Sequence, residues 1–196
     1  LATVKIAQND ALEKTSLEWT AIYNGYFLDY FTPGLPTYVQ SFPTVVDVDN
    51  NAAGIPGSGD YPVNFTYTFD IAKYTVATLS LEKWEKEYFV VGDTVSWNEL
   101  VVLAEKAKGV KFDVGYDPVE KLEKGEVTEL PGHKVAYESM GGEAVKPMFF
   151  GLLARMGLFF LEGMAEYGEG AYLNKIFPDI KPLKFDAAFA KAFQKN

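Results

Sequence analysis

One histidine, no cysteine and a single arginine, Arg155, leave this chain of 196 residues few side chains that do chemistry unaided. A Ser-His-Asp triad would need His133, which stands in the loop-like sequence PGHKV, and no G-x-S-x-G elbow accompanies it. His133 is therefore expected to be a solvated loop histidine. The lack of cysteine excludes Cys/His zinc sites, thiol catalysis and structural disulfides, and no metal site is expected. Carboxylates do not pair at metal-ligand or glycosidase-like spacing, and the runs EKWEKE and EKLEKGE read as solvated faces.

Three other stretches could meet a ligand. Gly54-Ile-Pro-Gly57-Ser-Gly59 has the glycines of a phosphate loop, but a pyrophosphate cradle follows a buried strand and opens a helix. Here the glycines precede the alternating stretch PVNFTYTF, so a turn leading into a strand accounts for them. Asn64-Phe65-Thr66 is a formal glycosylation sequon that no secretory signal supports. The third stretch is better placed. LEWTAIY, 17–23, is an apolar run of strand length, and Asn24, Gly25, Tyr26 and Phe27 follow it in a cluster of aromatics ending at Phe31. In open α/β sheets ligands bind beyond the carboxyl ends of strands, which is where these residues fall.

The elements that must position such a site can be read from periodicity. VKIAQNDALEK places Val4, Ala7, Ala11 and Leu12 on one face of a short helix. LEWTAIY reads as a strand buried on both faces, and the segment from Thr37 to Asp60 as turn-rich. PVNFTYTF alternates as a half-buried strand, Asp70 is placed to cap the helix IAKYTVATL, and YFVVG is a short buried strand. Ser96 and Glu99 form a capping box ahead of a helix that stops at Gly109. VKFDVGY alternates as a strand, and Asp117-Pro118 opens a short helix with the proline in its first position. Gly125 to Gly142 is polar and irregular, Ala144 to Tyr167 is apolar and helical, and phenylalanines every four residues mark a closing helix from Phe185 to Phe193.

Composition narrows the classes further. Hydrophobic residues make up 48% of the chain, enough for a packed core. With 18 basic against 27 acidic residues the net charge is −9, and the near absence of arginine argues against a nucleic-acid partner. The most apolar stretch, Met148 to Met164, is broken by Arg155 and Glu162 and reads as a buried helix or helix pair, with no membrane partner expected. The chain begins Leu-Ala-Thr-Val without an initiator Met or signal-like region, so it is expected to be a piece of something longer. Cysteine-free composition leaves the compartment open and favours a reducing one, hence a cytoplasmic location.

Taken in order, Lys5, EWT at 18–20, NGYFLDYF at 24–31, IPGSGDYPVNFTYTFDIAKYTVATL, YFVVGDTVSWNEL and the terminal FPDIKPLKFDAAF resemble one family throughout. The chain looks like the NmrA-like and isoflavone-reductase-like group of atypical short-chain dehydrogenases/reductases. The resemblance implies an α/β fold: the last part of a Rossmann-like NAD(P)-binding domain plus a smaller α+β substrate-binding domain. Residues 1–36 would end the Rossmann-like domain, 37–80 supply a strand and helix of the substrate domain, 81–109 return to the Rossmann-like sheet, and 110–196 form the substrate-binding and C-terminal helical part. The family's glycine-rich cofactor loop has no counterpart in the chain, so a preceding Rossmann segment is an implied partner.

The function implied is an NAD(P)H-dependent reductase of a small apolar or aromatic molecule, with NADP or NAD as cofactor; the alternative is a non-catalytic dinucleotide sensor that regulates a partner protein. Lys5 matches the family's catalytic lysine. Tyr23, Asn24, Gly25 and Phe27 would meet the cofactor. Tyr26, Phe149, Phe150 and Leu153 would meet the substrate. By itself the chain is expected to bind no cofactor, because pyrophosphate and adenosine recognition are absent. The strand LEWTAIY would then offer an unpaired edge, so association, as in a homodimer, is expected.

Overall fold

A computed structural model describes residues 2–163, 165 and 167–193, with the side chains of 2–5 outside that description. The chain opens with helix α1, Ala2–Leu12. Its expected apolar face is left uncovered: Ala7 and Ala11 are exposed, and Leu12 is only half-buried.

Three small sheets follow. Strand β1, Ala21–Tyr23, pairs in parallel with a strand, Glu87–Phe89, that comes much later in the chain. The expected strand 17–23 is shortened to its last three residues, with Leu17 exposed, and is half-buried rather than covered on both faces, since it has one neighbour in this sheet among the described residues. After the turn at Asn24-Gly25 comes β2, Tyr26–Phe27, then a single 3-10 turn, Leu28–Phe31.

The segment 37–60, expected to be turn-rich, contains two strands: β3, Val46–Asp47, and β4, Ala52–Pro56. Strand β4 is buried along its whole length between β3 and a later parallel strand. Gly54 sits inside it because Thr128 packs so close that a Cβ at 54 would stand 3.0 Å from the Thr128 Cβ. The local pattern hid this strand, since Gly and Pro at its core read as turn formers when their packing is unseen. Gly57 and Gly59 do form the turn that leads into β5, Val63–Thr66. All four residues of β5 are buried, so its polar alternates Asn64 and Thr66 face packed structure and not solvent. β5 lies between β2, parallel to it, and a later antiparallel strand, Asp93–Val95.

Helix α2, Thr68–Thr78, starts two residues before the expected cap. Asp70 lies inside its first turn, where the carboxylate pairs with Lys73 Nζ at 2.7 Å and accepts the N–H of Leu183 at 2.7 Å. The helix start is satisfied instead by Asp29, whose Oδ1 accepts the N–H of Thr68 at 2.9 Å. Strand β6 is Glu87–Phe89, the partner of β1, and β7 is Asp93–Val95. Helix α3, Trp97–Lys108, carries the expected capping box of Ser96 and Glu99 and ends at a left-handed Gly109.

Strand β8, Asp113–Asp117, runs parallel to β4 in register Ala52↔Asp113 through Pro56↔Asp117. Helix α4, Val119–Glu123, takes Pro118 as its N-cap, one place before the expected position. The stretch expected to be irregular holds helix α5, Pro131–Met140, and His133 within it is 1% exposed. Its Nδ1 accepts the N–H of Leu130 at 3.1 Å and its Nε2 faces the Pro43 carbonyl at 2.6 Å, which makes it a buried neutral imidazole, not a solvated one. Desolvation holds its pKa below the usual range.

Helix α6, Lys146–Leu161, buries Phe149, Leu153, Ala154, Gly157 and Phe160 and packs on α4 and β4. With the preceding turn it spans Gly142–Leu161, one helix among the described residues long and apolar enough to cross a membrane; one face of it is buried, and Arg155 lies on the exposed side. Helices α7, Leu173–Ile176, and α8, Phe185–Ala192, close the chain, with Phe185, Phe189 and Phe193 stacked at 5.6 and 6.0 Å. The main core is an aromatic knot. The Trp97 ring lies 5.5 Å from Phe65 and 5.0 Å from Phe160, and Phe65 lies 5.0 Å from Phe185. Such edge-to-face contacts add specificity to the apolar burial.

Candidate functional site

The turn between β1 and β2 steps the chain from one sheet to the next, and this step needs Gly25. Its φ is +68°, and a Cβ there would stand 2.2 Å from the carbonyl oxygen of Asn64 in β5. The bare backbone leaves its N–H free to donate to the phenol oxygen of Tyr167 at 2.6 Å. Asn24 closes the turn, its side-chain amide donating to the Gly25 carbonyl at 3.1 Å.

Around this step lies a cleft of about 370 Å³. Tyr23, Gly25 and Tyr26 form one side, at the carboxyl end of β1, and Phe89 stands at the end of β6. Val63 and Asn64 enter from β5, Phe159 and Phe160 from the last turn of α6, and Ala165 and Tyr167 from the segment beyond it. The backbone ties that segment down, Asn64 N–H donating to the Ala165 carbonyl at 3.0 Å. Tyr167 packs against Phe89 at 4.8 Å between ring centroids and meets Tyr23 edge-on at 6.3 Å. The walls are therefore aromatic and largely apolar.

The phenols of the cleft stay protonated at neutral pH. Burial, with the Glu87 carboxylate that accepts the hydroxyl at 2.9 Å, raises Tyr23. Desolvation pushes Tyr26 far above the ordinary phenol value, and burial also raises Tyr167. The site thus offers hydrogen-bond donors and apolar faces, but neither a nucleophile nor a metal-binding cluster; none of the latter occurs among the described residues.

The expected residues divide between this cleft and other places. Tyr23, Gly25 and Tyr26 line it. Asn24 lies in its turn, and Phe27 is turned toward Tyr30, 5.4 Å away between ring centroids. Phe149, Phe150 and Leu153 are brought together elsewhere, in a separate cluster with Tyr137 that Phe42 and Val127 cover. It is the same helix two to three turns later that reaches the cleft, through Phe159 and Phe160. Lys5 belongs to α1, and its side chain lies outside the described residues.

Asn64, Phe89 and Tyr167 are additions that the sequence did not single out for the site. Asn64 had a signal of another kind, its sequon; at 4% exposure inside β5 it has no room for a glycan in the folded chain. Phe89 could have been found from the parallel pairing of β1 with β6, which sets it opposite Tyr23. Tyr167 had no local signal.

No protein-family profile matches the chain. Over 175 residues it is 33% identical to Oxidoreductase BOA1 of Botryotinia fuckeliana, an alignment that covers 87% of this chain and 53% of that protein. It is 30% identical over 132 residues to Phenylcoumaran benzylic ether reductase TP7 of Nicotiana tabacum, covering 65% of this chain and 41% of the relative. Among solved structures, the binary complex of leucoanthocyanidin reductase with NADPH from Vitis vinifera matches with a TM-score of 0.65 at 16% identity, over 97% of this chain and 60% of that one. The fold is thereby that of the Rossmann-like NAD(P)-binding reductases, in part. The chain spans about half the length of the oxidoreductases it matches. On sequence and fold together, it belongs to the isoflavone-reductase-like and NmrA-like family.

Proposed function

We propose that this chain forms the substrate-side part of an NAD(P)H-dependent reductase whose substrate is a small apolar or aromatic molecule. The observation that carries the reading is the aromatic cleft at the carboxyl end of β1, where Tyr23, Gly25 and Tyr26 meet the end of α6. Ligands of open α/β folds bind at such strand ends. In this reading residues 1–36 and 81–109 belong to the cofactor-side sheet, and 37–80 and 110–196 to the substrate side.

The residues present suit the nicotinamide end of a dinucleotide and not its pyrophosphate. A flat wall of aromatic side chains accommodates a planar ring, whereas the Gly57 and Gly59 turn leads into a strand and not into a helix N-terminus. When bound, the nicotinamide supplies the hydride. Tyr23 and Gly25 would hold the ring side, Tyr26 and Phe160 exclude water from the reacting face, and Lys5 at its amino group would hold the ribose and assist proton transfer. Phe149, Phe150 and Leu153 contribute by fixing α6, so that its last turn reaches the cleft.

The test is NADPH oxidation by the protein that carries this chain, against a panel of carbonyl and ether substrates, with Lys5→Ala beside the parent. Turnover that falls by a factor of about 100 or more in the variant is expected of a proton-handling group. Unchanged turnover removes Lys5 from the mechanism. Dinucleotide binding without oxidation of any substrate would favour the sensor reading over the reductase.

A further inference from the structure

Four polar side chains line the otherwise apolar cleft: the phenols of Tyr23, Tyr26 and Tyr167 and the amide of Asn64. Two of them are committed to the protein. The Tyr23 hydroxyl donates to Glu87 Oε1 at 2.9 Å, and that of Tyr26 to Thr44 Oγ1 at 3.1 Å. The other two are used on one side only. Asn64 Oδ1 accepts the Thr94 hydroxyl at 2.7 Å, while its amide nitrogen makes no hydrogen bond among the described residues. Tyr167 Oη accepts the Gly25 N–H at 2.6 Å, while its own proton has no protein acceptor among the described residues.

The two residues that carry these donors both meet the backbone at Gly25. Gly25 binds Tyr167 through its N–H, and a Cβ there would collide with the backbone carbonyl of Asn64. The hydrogen bond from Asn64 N–H to the Ala165 carbonyl, at 3.0 Å, holds the segment carrying Tyr167 beside β5. Among the described residues the lining of the cleft contains no lysine, arginine, aspartate or glutamate side chain.

We propose that Asn64 Nδ2 and Tyr167 Oη form a paired donor site that selects ligands carrying an uncharged oxygen acceptor, a carbonyl or an ether, on an otherwise apolar body. The inference rests on reading the cleft as the substrate site of the proposed reductase. Its physical basis is asymmetry. A ligand oxygen satisfies both donors, whereas a hydrocarbon of the same shape takes them out of water and leaves them unpaired, which costs more than the bonds gain. A charged acceptor would need a cation to offset its desolvation, and the described lining supplies none. The raised pKa of Tyr167 agrees with a hydroxyl that remains a donor throughout the neutral range.

The experiment compares acetophenone with cumene, two probes with the same number of non-hydrogen atoms, by ligand-observed NMR titration of the full chain. The quantity read is the ratio of their affinities, followed from the parent to Tyr167→Phe, Asn64→Leu and the double variant. Tyr167→Phe keeps the ring that packs on Phe89 and so tests the hydroxyl alone. Each single variant is expected to shift the ratio about three- to tenfold toward cumene, by weakening acetophenone and sparing the hydrocarbon. A ratio unchanged in Tyr167→Phe and in Asn64→Leu, with both probes still bound, overturns the donor pair and leaves the cleft as a ligand site. Failure of the folded parent to bind either probe overturns both the pair and the reading of the cleft on which it rests.

Discussion

Asp29 and Thr68 stand 39 residues apart, yet Asp29 Oδ1 accepts the backbone N–H of Thr68 at 2.9 Å and Oδ2 accepts hydroxyls of both Thr37 and Thr68. The carboxylate, 3% exposed, therefore caps α2 from outside it and pins the segment after β2 to the helix start. Replacing it with alanine removes the acceptor of three donors, the N–H and hydroxyl of the half-buried Thr68 and the hydroxyl of the exposed Thr37. Asp29→Ala is expected to lose about 2–4 kcal/mol in urea unfolding, and Asp29→Asn about half as much, because the amide oxygen still caps. Equal losses for the two variants would show that charge, and not the cap, carries the contribution.

Gly25 is the most constrained backbone position of the cleft. Gly25→Ala meets both a left-handed φ and a carbonyl at 2.2 Å, so β2 must move away from β5. A loss of at least about 2 kcal/mol follows. The Tyr167 bond to the same N–H goes with it, so tyrosine fluorescence should change at temperatures below the unfolding transition. A variant as stable as the parent would refute the close approach.

Phe159 and Phe160 are neighbours with different duties. Phe160 is 2% exposed and shared by cleft and aromatic core, while Phe159 is 40% exposed. Phe160→Ala is expected to cost about 3–5 kcal/mol, and Phe159→Ala less than about 1 kcal/mol while enlarging the cleft mouth. Thermal melts of the two variants give the stability order, and probe titration reads the cleft.

His133 sets a pH dependence. Its folded pKa is depressed, chiefly by desolvation, below an unfolded value of about 6.5. The nearby carboxylates of Asp47, Glu129 and Asp117 oppose that shift without cancelling it. The neutral ring is thus the folded form: its stabilisation is complete above about pH 6.5 and declines as pH falls through that value toward the folded pKa. Protonation would also end the acceptor role of Nδ1 toward Leu130. Urea unfolding at pH 7.5 and at pH 5.5 should show a loss for the parent that His133→Gln lacks. The depressed carboxyls of Glu105 and Glu129 add their own loss only at more acidic pH, below the usual carboxylate value.

Several parts of this molecule are legible in its residues without any fold. The capping box at Ser96 and Glu99, the stop at Gly109 and the phenylalanines of α8 depend on spacings of three and four residues, and helical geometry alone converts those into contacts. The aromatic cluster after β1 is legible for the same reason, because a strand end and a glycine lie next to it in sequence. Family membership is legible as an ordered set of such pieces.

What only tertiary packing decided is where distant pieces meet. Asn64 and Tyr167 become ligand-facing because β5 and the segment beyond α6 converge on Gly25, from positions far along the chain. His133 is buried because α5 docks on Pro43, and β4 is a strand because β3 and β8 pair with it on either side. In each case the deciding energy is long-range: a hydrogen bond or apolar contact that no local window contains. Periodicity reports which face of an element prefers burial, and it carries no record of which partner will supply it. Residue types and spacing therefore pointed to one wall of the cleft, while the opposite wall, with Asn64 and Tyr167, was placed by the fold.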